Sequence, residues 1–278
     1  MRILITGGAG LLGSELIRTA PAGAQLHVTQ RTTPVVGAEA HVVDLAEAEA
    51  VDEVFGRVRP EVVIHTAYTP GEGERDIGRA TESVVAACAR AGAGLVHIST
   101  DRLFDGELAP YAESDTPAPL DDYGRWKAHA ETVVRTRVPD AAVVRISLIV
   151  RAEPPDRASA WVLDGIRRGE PPTLFVDELR CPIGVEDAAR MVWEIAMMPA
   201  ERRRGIWHLA GPEAVSRYAL GVLLALRAGL DPARIAAAPS SASPVRRPRD
   251  LRLLTTRADR ELRTRARPVT EVLFPGSG

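Results

Sequence analysis

Apolar runs and amphipathic stretches alternate along the first 150 residues. The apolar runs are typical of buried parallel strands, and the stretches between them have the period of a helix. The predicted strands are Arg2–Thr6, Gln25–Gln30, His41–Val43, Glu61–Thr66, Gly94–Ser99 and Ala141–Leu148. The predicted helices are Gly10–Thr19, Ala46–Val58, Arg75–Ala91 and Asp122–Val138. This alternation predicts an α/β fold, a doubly wound parallel sheet of the Rossmann type with helices on both faces.

The rhythm changes after Val150. The later predicted elements are helices over Ser159–Arg168, Val185–Met197 and Ser216–Ala228, a short strand over Ile206–Leu209 and a low-complexity linker over Ala236–Pro244. We expect residues 1–150 to form a dinucleotide-binding domain, with elements near 183–210 returning to it. Residues 151–278 should mostly form a small substrate-binding lobe.

Composition excludes several classes of function. A net charge of −2 gives no general attraction to nucleic acid or to a membrane surface. No apolar run approaches the length of a membrane span. Cys88 and Cys181 have no motif spacing, so we expect two buried thiols and neither a disulfide framework nor a metal site. The first strand starts at Arg2 and leaves no room for a signal peptide, which predicts a cytoplasmic protein.

A glycine-rich turn follows the first strand and opens the first helix. The run Thr6–Gly13 contains Gly7, Gly8, Gly10, Leu11, Leu12 and Gly13. Glycines in this context allow a tight turn and let the backbone approach a pyrophosphate at a helix N-terminus. The segment therefore predicts dinucleotide binding.

The end of the second predicted strand bears on the choice of cofactor. Enzymes selective for NAD usually carry a carboxylate there, about 20 residues after the glycines, whereas this chain has Gln30 and Arg31. An arginine can pair with a 2′-phosphate, so we favour NADP(H), with NAD(H) as the alternative. Asp44 and Leu45 follow the third strand. The Asp44 carboxylate either accepts from the adenine amine or caps the next helix, and both roles are compatible.

The candidate catalytic groups lie where the fifth strand ends and on the helix that follows. Lys127 is the single lysine among 35 basic residues, and Tyr123 stands four positions before it, on the same helical face. We expect the ammonium to lower the phenol pKa and so to make Tyr123 a general acid. Ser99 and Thr100 end the strand at the edge where such folds bind ligands. A hydroxyl there could hold a substrate carbonyl while Lys127 holds the ribose.

These motifs resemble those of the extended short-chain dehydrogenases/reductases, and most closely the dTDP-4-dehydrorhamnose reductase family. The resemblance covers nearly the whole chain. It rests on Thr6–Gly13, Val62–Tyr68, His97–Gly106, Tyr123–Lys127, Arg180–Pro182 and His208–Gly211. It implies that Thr100, Tyr123 and Lys127 are the catalytic set, and that Thr66, Ala67 and Tyr68 line the cofactor together with the glycine turn and Ser99.

The resemblance also points to the substrate side of the site. We expect substrate contacts from Thr100, Asp101, Arg102, Leu148 and Arg180, with Arg180 meeting a pyrophosphate through bidentate bonds. Three residues depart from the family pattern. Ile77 replaces the superfamily's usual asparagine, Arg102 replaces a tyrosine, and Leu148 stands near a site that often carries an aromatic residue. These departures leave the substrate open.

The sequence thus predicts an NADPH-dependent reductase of the 4-keto group of a nucleotide-linked deoxysugar, or of a related carbonyl. The partners expected are this small-molecule substrate and a second copy of the chain in a homodimer. One alternative is a sugar-nucleotide epimerase or dehydratase with tightly bound NAD. Another is a non-catalytic NADP(H)-binding regulatory subunit on the same fold.

Overall fold

The computed structural model of the protein describes residues 1–69 and 71–276. Its strands are β1 (Arg2–Thr6), β2 (Gln25–Gln30), β3 (Glu39–Val42), β4 (Val62–His65), β5 (Gly94–Thr100), β6 (Ala142–Ile146), β7 (Ile149–Val150), β8 (Thr173–Phe175), β9 (Leu179–Arg180), β10 (Ile183–Gly184), β11 (Gly205–Leu209), β12 (Val215–Ser216) and β13 (Ala236–Ala238). Its α-helices are α1 (Leu11–Arg18), α2 (Ala48–Val58), α3 (Ala80–Ala91), α4 (Asp122–Arg137), α5 (Arg157–Arg168), α6 (Val185–Ala196), α7 (Ala200–Arg203), α8 (Arg217–Arg227), α9 (Thr256–Glu261) and α10 (Val269–Leu273).

Seven parallel strands form the central sheet in the order β3-β2-β1-β4-β5-β6-β11. Chain order reverses between β1 and β4, which makes the crevice above their carboxyl ends the topological switch point. Alternate side chains of each strand enter two hydrophobic cores. One core lies under α1 and α6, and the other under α2, α3 and α4. The predicted doubly wound α/β fold is therefore confirmed.

The helix predicted over Arg75–Ala91 differs from the observed structure. A π-helical turn over Gly73–Arg79 precedes α3. The indole of Trp126 packs against this turn at Gly73 and Gly78, and a Cβ added at Gly73 would lie 2.5 Å from the ring. The π-helical turn thus makes room for the Trp126 side chain of α4. A helical periodicity in the sequence does not distinguish such a turn from an α-helix.

Parts of the later half return to the main sheet. β11 pairs with β6, β10 pairs with β7, and α6 contacts α1. The linker predicted over Ala236–Pro244 is wrong in part, because Ala236–Ala238 forms a strand parallel to β8. Its pairing uses backbone hydrogen bonds, which a low-complexity composition does not reveal. The division of the chain near residue 150 stays a prediction.

Within residues 1–69 and 71–276, no helix combines the length and apolar character that a membrane crossing requires.

Candidate active site

The glycine turn is closed by backbone contacts that exclude any side chain. Gly7 has a φ of +73°, and a Cβ there would lie 2.7 Å from the Ala67 Cα. A Cβ on Gly13 would lie 2.2 Å from the Gly7 carbonyl oxygen. Gly10 is the N-cap of α1 and has no side chain to bond the amides of the first helical turn. An anion at this helix N-terminus would therefore meet free amide donors and the positive end of the helix dipole.

The neighbouring strand end is fastened to this turn. The Thr66 hydroxyl donates to the Thr6 carbonyl oxygen at 2.6 Å, and the Thr6 hydroxyl accepts from the Thr66 amide at 3.2 Å. The same Thr6 hydroxyl lies 2.7 Å from Nδ1 of His65. This network places Ala67 against the glycine turn and carries Tyr68 to the mouth of the crevice.

Thr100 and Tyr123 meet at the carboxyl end of β5. The Asp121 carboxylate caps α4 by accepting from the Gly124 amide at 2.8 Å, so the helix begins beside Thr100. The Thr100 hydroxyl lies beside the Tyr123 hydroxyl and acts to lower the pKa of that phenol. The Tyr123 ring also contacts the Tyr68 ring, with their centroids 5.4 Å apart. Tyr123 is thereby linked to the glycine turn through Tyr68 and Ala67.

Lys127 is buried one turn further along α4. Its ammonium donates to the Ile98 carbonyl oxygen at 3.0 Å and lies 5.5 Å from the centroid of the Tyr68 ring. Burial lowers the pKa of Lys127 to about 8, partly offset by the Glu131 carboxylate. Tyr68 therefore contacts both members of the pair that the sequence singles out.

The expected lowering of the Tyr123 pKa is not found. Burial is the largest effect and raises the pKa of this phenol, and Tyr68 raises it further. The neighbouring Thr100 hydroxyl and the Arg102 guanidinium act in the lowering direction without overcoming burial. The expectation counted the cation four residues away but omitted the loss of water around the phenol. A tyrosine in this state is protonated at neutral pH.

A layer of buried polar side chains lies behind the lysine. His65 and His97 are neighbours on β4 and β5, with ring centroids 5.3 Å apart, and both are buried. Burial and the Lys127 charge lower the pKa of His65 to about 3 and that of His97 well below its usual range. Neither ring nitrogen of His97 nor the Ser99 hydroxyl has a hydrogen-bond partner within the described chain.

The ends of β2 and β3 carry a charged cluster. Arg31 forms an ion pair with Asp76 at 3.1 Å and donates to the Thr69 hydroxyl at 3.0 Å. Asp44 is paired with Arg75 and also accepts from the Ala46 amide at 3.0 Å. Sequence reasoning missed Arg75 and Asp76, which lie in the π-helical turn.

Leu45 directly follows Asp44 in the chain. It is half-buried and packs on the core beneath α2, α3 and α4. Arg75 and Asp76 lie in a stretch of helical periodicity. That periodicity does not indicate that they contact residues some 30 to 45 positions earlier in the chain.

Two predicted substrate residues are paired with each other. Arg180 donates to Asp101 at 2.9 Å and to Glu178 at 3.3 Å, and its side chain is 8% exposed. The other Asp101 oxygen accepts from the Ser147 hydroxyl at 3.0 Å. The structure therefore makes Arg180 a link between the later half of the chain and the Thr100 segment, in place of the exposed phosphate ligand that the sequence suggested.

The remaining predicted positions have different surroundings. Arg102 is exposed, paired with Asp121, and its guanidinium lies 5.2 Å from the centroid of the Tyr123 ring. Leu148 is half-buried and lines a small cavity with Asp156, Ser159 and Arg217. Ile77 is buried in the π-helical turn. Arg102 is thus the one of these that touches the Thr100–Tyr123 pair.

Comparison with known proteins places this geometry in a family. The RmlD substrate binding domain family matches residues 1–273. The chain belongs to this family. The family resemblance that the sequence motifs suggested is thereby confirmed.

Individual relatives agree with the family match. A probable low-salt glycan biosynthesis reductase, Agl14, of Haloferax volcanii is 30% identical over 232 residues, 78% of this chain and 76% of that protein. A dTDP-4-dehydrorhamnose reductase of Mycobacterium tuberculosis is 30% identical over 263 residues, 89% of this chain and 82% of its own length. Methionine adenosyltransferase 2 subunit beta of Danio rerio is 28% identical over 243 residues, 81% and 73% of the two chains.

Solved structures share the architecture. The crystal structure of a hypothetical dTDP-4-dehydrorhamnose reductase from Sulfolobus tokodaii superposes with a TM-score of 0.81. The two chains are 28% identical, and the match covers 96% of this chain and 97% of the other.

Proposed function

We propose that this protein is an NADPH-dependent reductase of the 4-keto group of a nucleotide-linked deoxysugar. The observation that carries the proposal is that the Thr100 and Tyr123 hydroxyls lie side by side and that Tyr68 and Ala67 join Tyr123 to the glycine turn. Relatives named dTDP-4-dehydrorhamnose reductase supply the substrate class. The protein is accordingly an NAD(P)-dependent oxidoreductase.

The crevice fits a nicotinamide dinucleotide. The glycine turn allows backbone to approach a pyrophosphate, and the first-turn amides of α1 would hold it. Thr66, Ala67, Tyr68 and the Ser99 hydroxyl would line the nicotinamide end, while Lys127 would hold the ribose. When bound, NADPH supplies the hydride for the carbonyl carbon.

The far end of the cofactor would lie over the charged cluster. Arg31 and Arg75 together could hold a 2′-phosphate, each giving up part of its ion pair with Asp76 or Asp44. Asp44 would then be free to accept from the adenine amine, with Leu45 beneath the base. These contacts favour NADP(H) over NAD(H).

Side chains of the protein would carry out the proton transfer to the carbonyl oxygen. Thr100 and Tyr123 would bracket the carbonyl oxygen, and Tyr123, which burial keeps protonated, would donate its proton as negative charge develops there. Lys127 would stabilise the resulting phenolate and return a proton to it, and Lys127 would regain that proton from solvent. The raised pKa keeps this phenol protonated at neutral pH, which is the form that the reductive direction requires.

The substrate would enter from the later half of the chain. Arg102, which is exposed beside Tyr123, and Leu148, at the small cavity, are the candidate sugar and nucleotide contacts. Asp101 and Arg180 would position Thr100 from behind through their buried ion pair. The substrate-binding lobe over residues 151–278, a homodimer and a cytoplasmic location stay predictions.

The test is oxidation of NADPH in the presence of a nucleotide-linked 4-keto-6-deoxy sugar. Tyr123→Phe should lower kcat by about 10²–10⁴-fold, since that is the usual contribution of a positioned acid. Tyr218→Phe, on α8, removes a matching hydroxyl from a half-buried tyrosine and should leave the rate unchanged. Equal rates for wild type and Tyr123→Phe would refute the proposal.

The same assay separates the alternative functions. NADPH binding without turnover across a panel of ketones would instead indicate a non-catalytic subunit. NAD retained through purification would indicate an epimerase or dehydratase.

A further inference from the structure

Three side chains with metal-binding groups meet at the outer edge of the sheet, away from the candidate active site. His27 lies on β2, and Glu39 and His41 lie on β3. The parallel register sets His27 opposite Glu39 and sets Thr29 opposite His41. Because alternate residues of a strand share a face, all three side chains project from the same side of these two strands.

The distances between their polar atoms are those of ligands around one ion. Nδ1 of His27 lies 3.2 Å from Nε2 of His41 and 3.4 Å from Oε2 of Glu39. Nε2 of His41 lies 3.9 Å from Oε1 of Glu39. Two bonds of about 2.1 Å at a tetrahedral angle span about 3.4 Å, with Zn–N at roughly 2.0–2.1 Å. These distances use either oxygen of the Glu39 carboxylate, and one ligand atom from each of the three residues lies within 4.8 Å of the other two. The separations are therefore close to the edges of a tetrahedral site.

The three groups differ in their exposure to solvent. His41 is buried and His27 is half-buried. A neutral imidazole carries the lone pair that binds a metal. Glu39 is exposed, with 64% of its side chain accessible, and supplies the negative charge while leaving a side open to solvent.

We propose that His27, Glu39 and His41 bind one divalent transition-metal ion, with Zn²⁺ the best match to this donor set. Two histidines and a carboxylate are a known Zn²⁺ ligand set, and the fourth position would be filled by water. The ion would hold β2 and the edge strand β3 together. These are the two strands that lead to Arg31 and Asp44. The inference does not depend on the reductase activity.

The sequence-based expectation of no metal site stays a prediction, and this proposal departs from it. The proposed ligands are 12 and 2 residues apart and have no metal-motif spacing. They converge only because β2 and β3 pair in this register.

The first experiment measures Zn²⁺ affinity on the full chain, freed of any histidine tag and stripped with a chelator. Zn²⁺ is titrated in competition with a chromophoric chelator. We expect one ion per chain. Loss of an outer-shell partner already costs 10–100-fold in metal affinity, so His27→Gln and Glu39→Gln should each weaken binding by about 100-fold or more.

A second histidine–glutamate pair provides the matched control. His129 on α4 and Glu82 on α3 are both exposed, with Nε2 and Oε1 3.3 Å apart, and no third ligand is recorded beside them among the described residues. His129→Gln and Glu82→Gln should therefore bind Zn²⁺ as wild type does. Absence of stoichiometric binding, or binding retained in both His27→Gln and Glu39→Gln, would overturn the proposal.

A measurement on the wild type alone covers the case in which the variants fail to fold. Co²⁺ bound in place of Zn²⁺ should give the intense visible absorption of a tetrahedral site, and Zn²⁺ should raise Tm, because a ligand that binds only the folded state stabilises it. A weak octahedral Co²⁺ spectrum or an unchanged Tm would also count against the site.

Discussion

Replacing the single lysine with an uncharged side chain of similar length should make the fold more stable while it removes activity. Lys127 is 5% exposed, and its ammonium has one hydrogen bond, to the Ile98 carbonyl. Its pKa of about 8, against 10.5 for an ordinary lysine, means that holding the charge in the folded protein costs about 3 kcal/mol. The lost hydrogen bond is worth about 1 kcal/mol. Lys127→Met should therefore raise the free energy of unfolding by about 2 kcal/mol at pH 7.

The pH dependence separates this cause from a simple packing gain. Below pH 8 both folded and unfolded wild-type chains hold the proton, so the cost is fully present. Between pH 8 and 10.5 the unfolded chain keeps a proton that the folded chain has lost, and wild-type stability rises with pH through this group. Lys127→Met lacks that rise. The stability gap between the two proteins should narrow by about pH 9.5.

The assay is urea unfolding without cofactor, followed by tryptophan fluorescence and far-ultraviolet circular dichroism at pH 7 and about pH 9.5. Arg125→Met is the control, because it removes a charge from the same helix at a side chain that is 56% exposed. It should change stability by less than about 0.5 kcal/mol. A Lys127→Met protein that is less stable than wild type at pH 7, or a gap that stays constant with pH, would refute the reasoning.

Three further changes test other parts of the structure. Gly13→Ala should abolish tight NADPH binding, measured by fluorescence titration, because the added Cβ would lie 2.2 Å from the Gly7 carbonyl oxygen. Gly56→Ala is the control: a Cβ there would enter open space, so this variant should bind NADPH as wild type does. Arg31→Ala should raise KM for NADPH about 10–100-fold, since charge-assisted hydrogen bonds are worth about 1.5–3 kcal/mol, and should leave KM for NADH unchanged. Equal effects on KM for both cofactors would exclude a contact between Arg31 and the 2′-phosphate. Arg145→Met should lower the free energy of unfolding in urea by about 3–5 kcal/mol, because it leaves the buried Glu131 carboxylate, 2.8 Å from the guanidinium, without its partner. Adding Glu131→Met should recover part of that loss. An Arg145→Met protein as stable as wild type would contradict this.

Local patterns in the sequence predicted the parallel strands, the glycine turn and the position of Tyr123 four residues before Lys127. These features depend on short-range rules: a continuous apolar run, a glycine where no Cβ fits, a helical period of 3.6. They were enough to predict the doubly wound sheet and the family resemblance, and both are confirmed.

Tertiary structure alone decided the electrostatics of the site. Burial, which has no local signature, turned the expected lowering of the Tyr123 pKa into a rise. Strand and loop contacts between distant residues paired Arg180 with Asp101 and Arg31 with Asp76. The sequence alone does not distinguish a charged side chain that faces solvent from one that pairs with another charge. What they do is set by the register and packing that bring distant partners together.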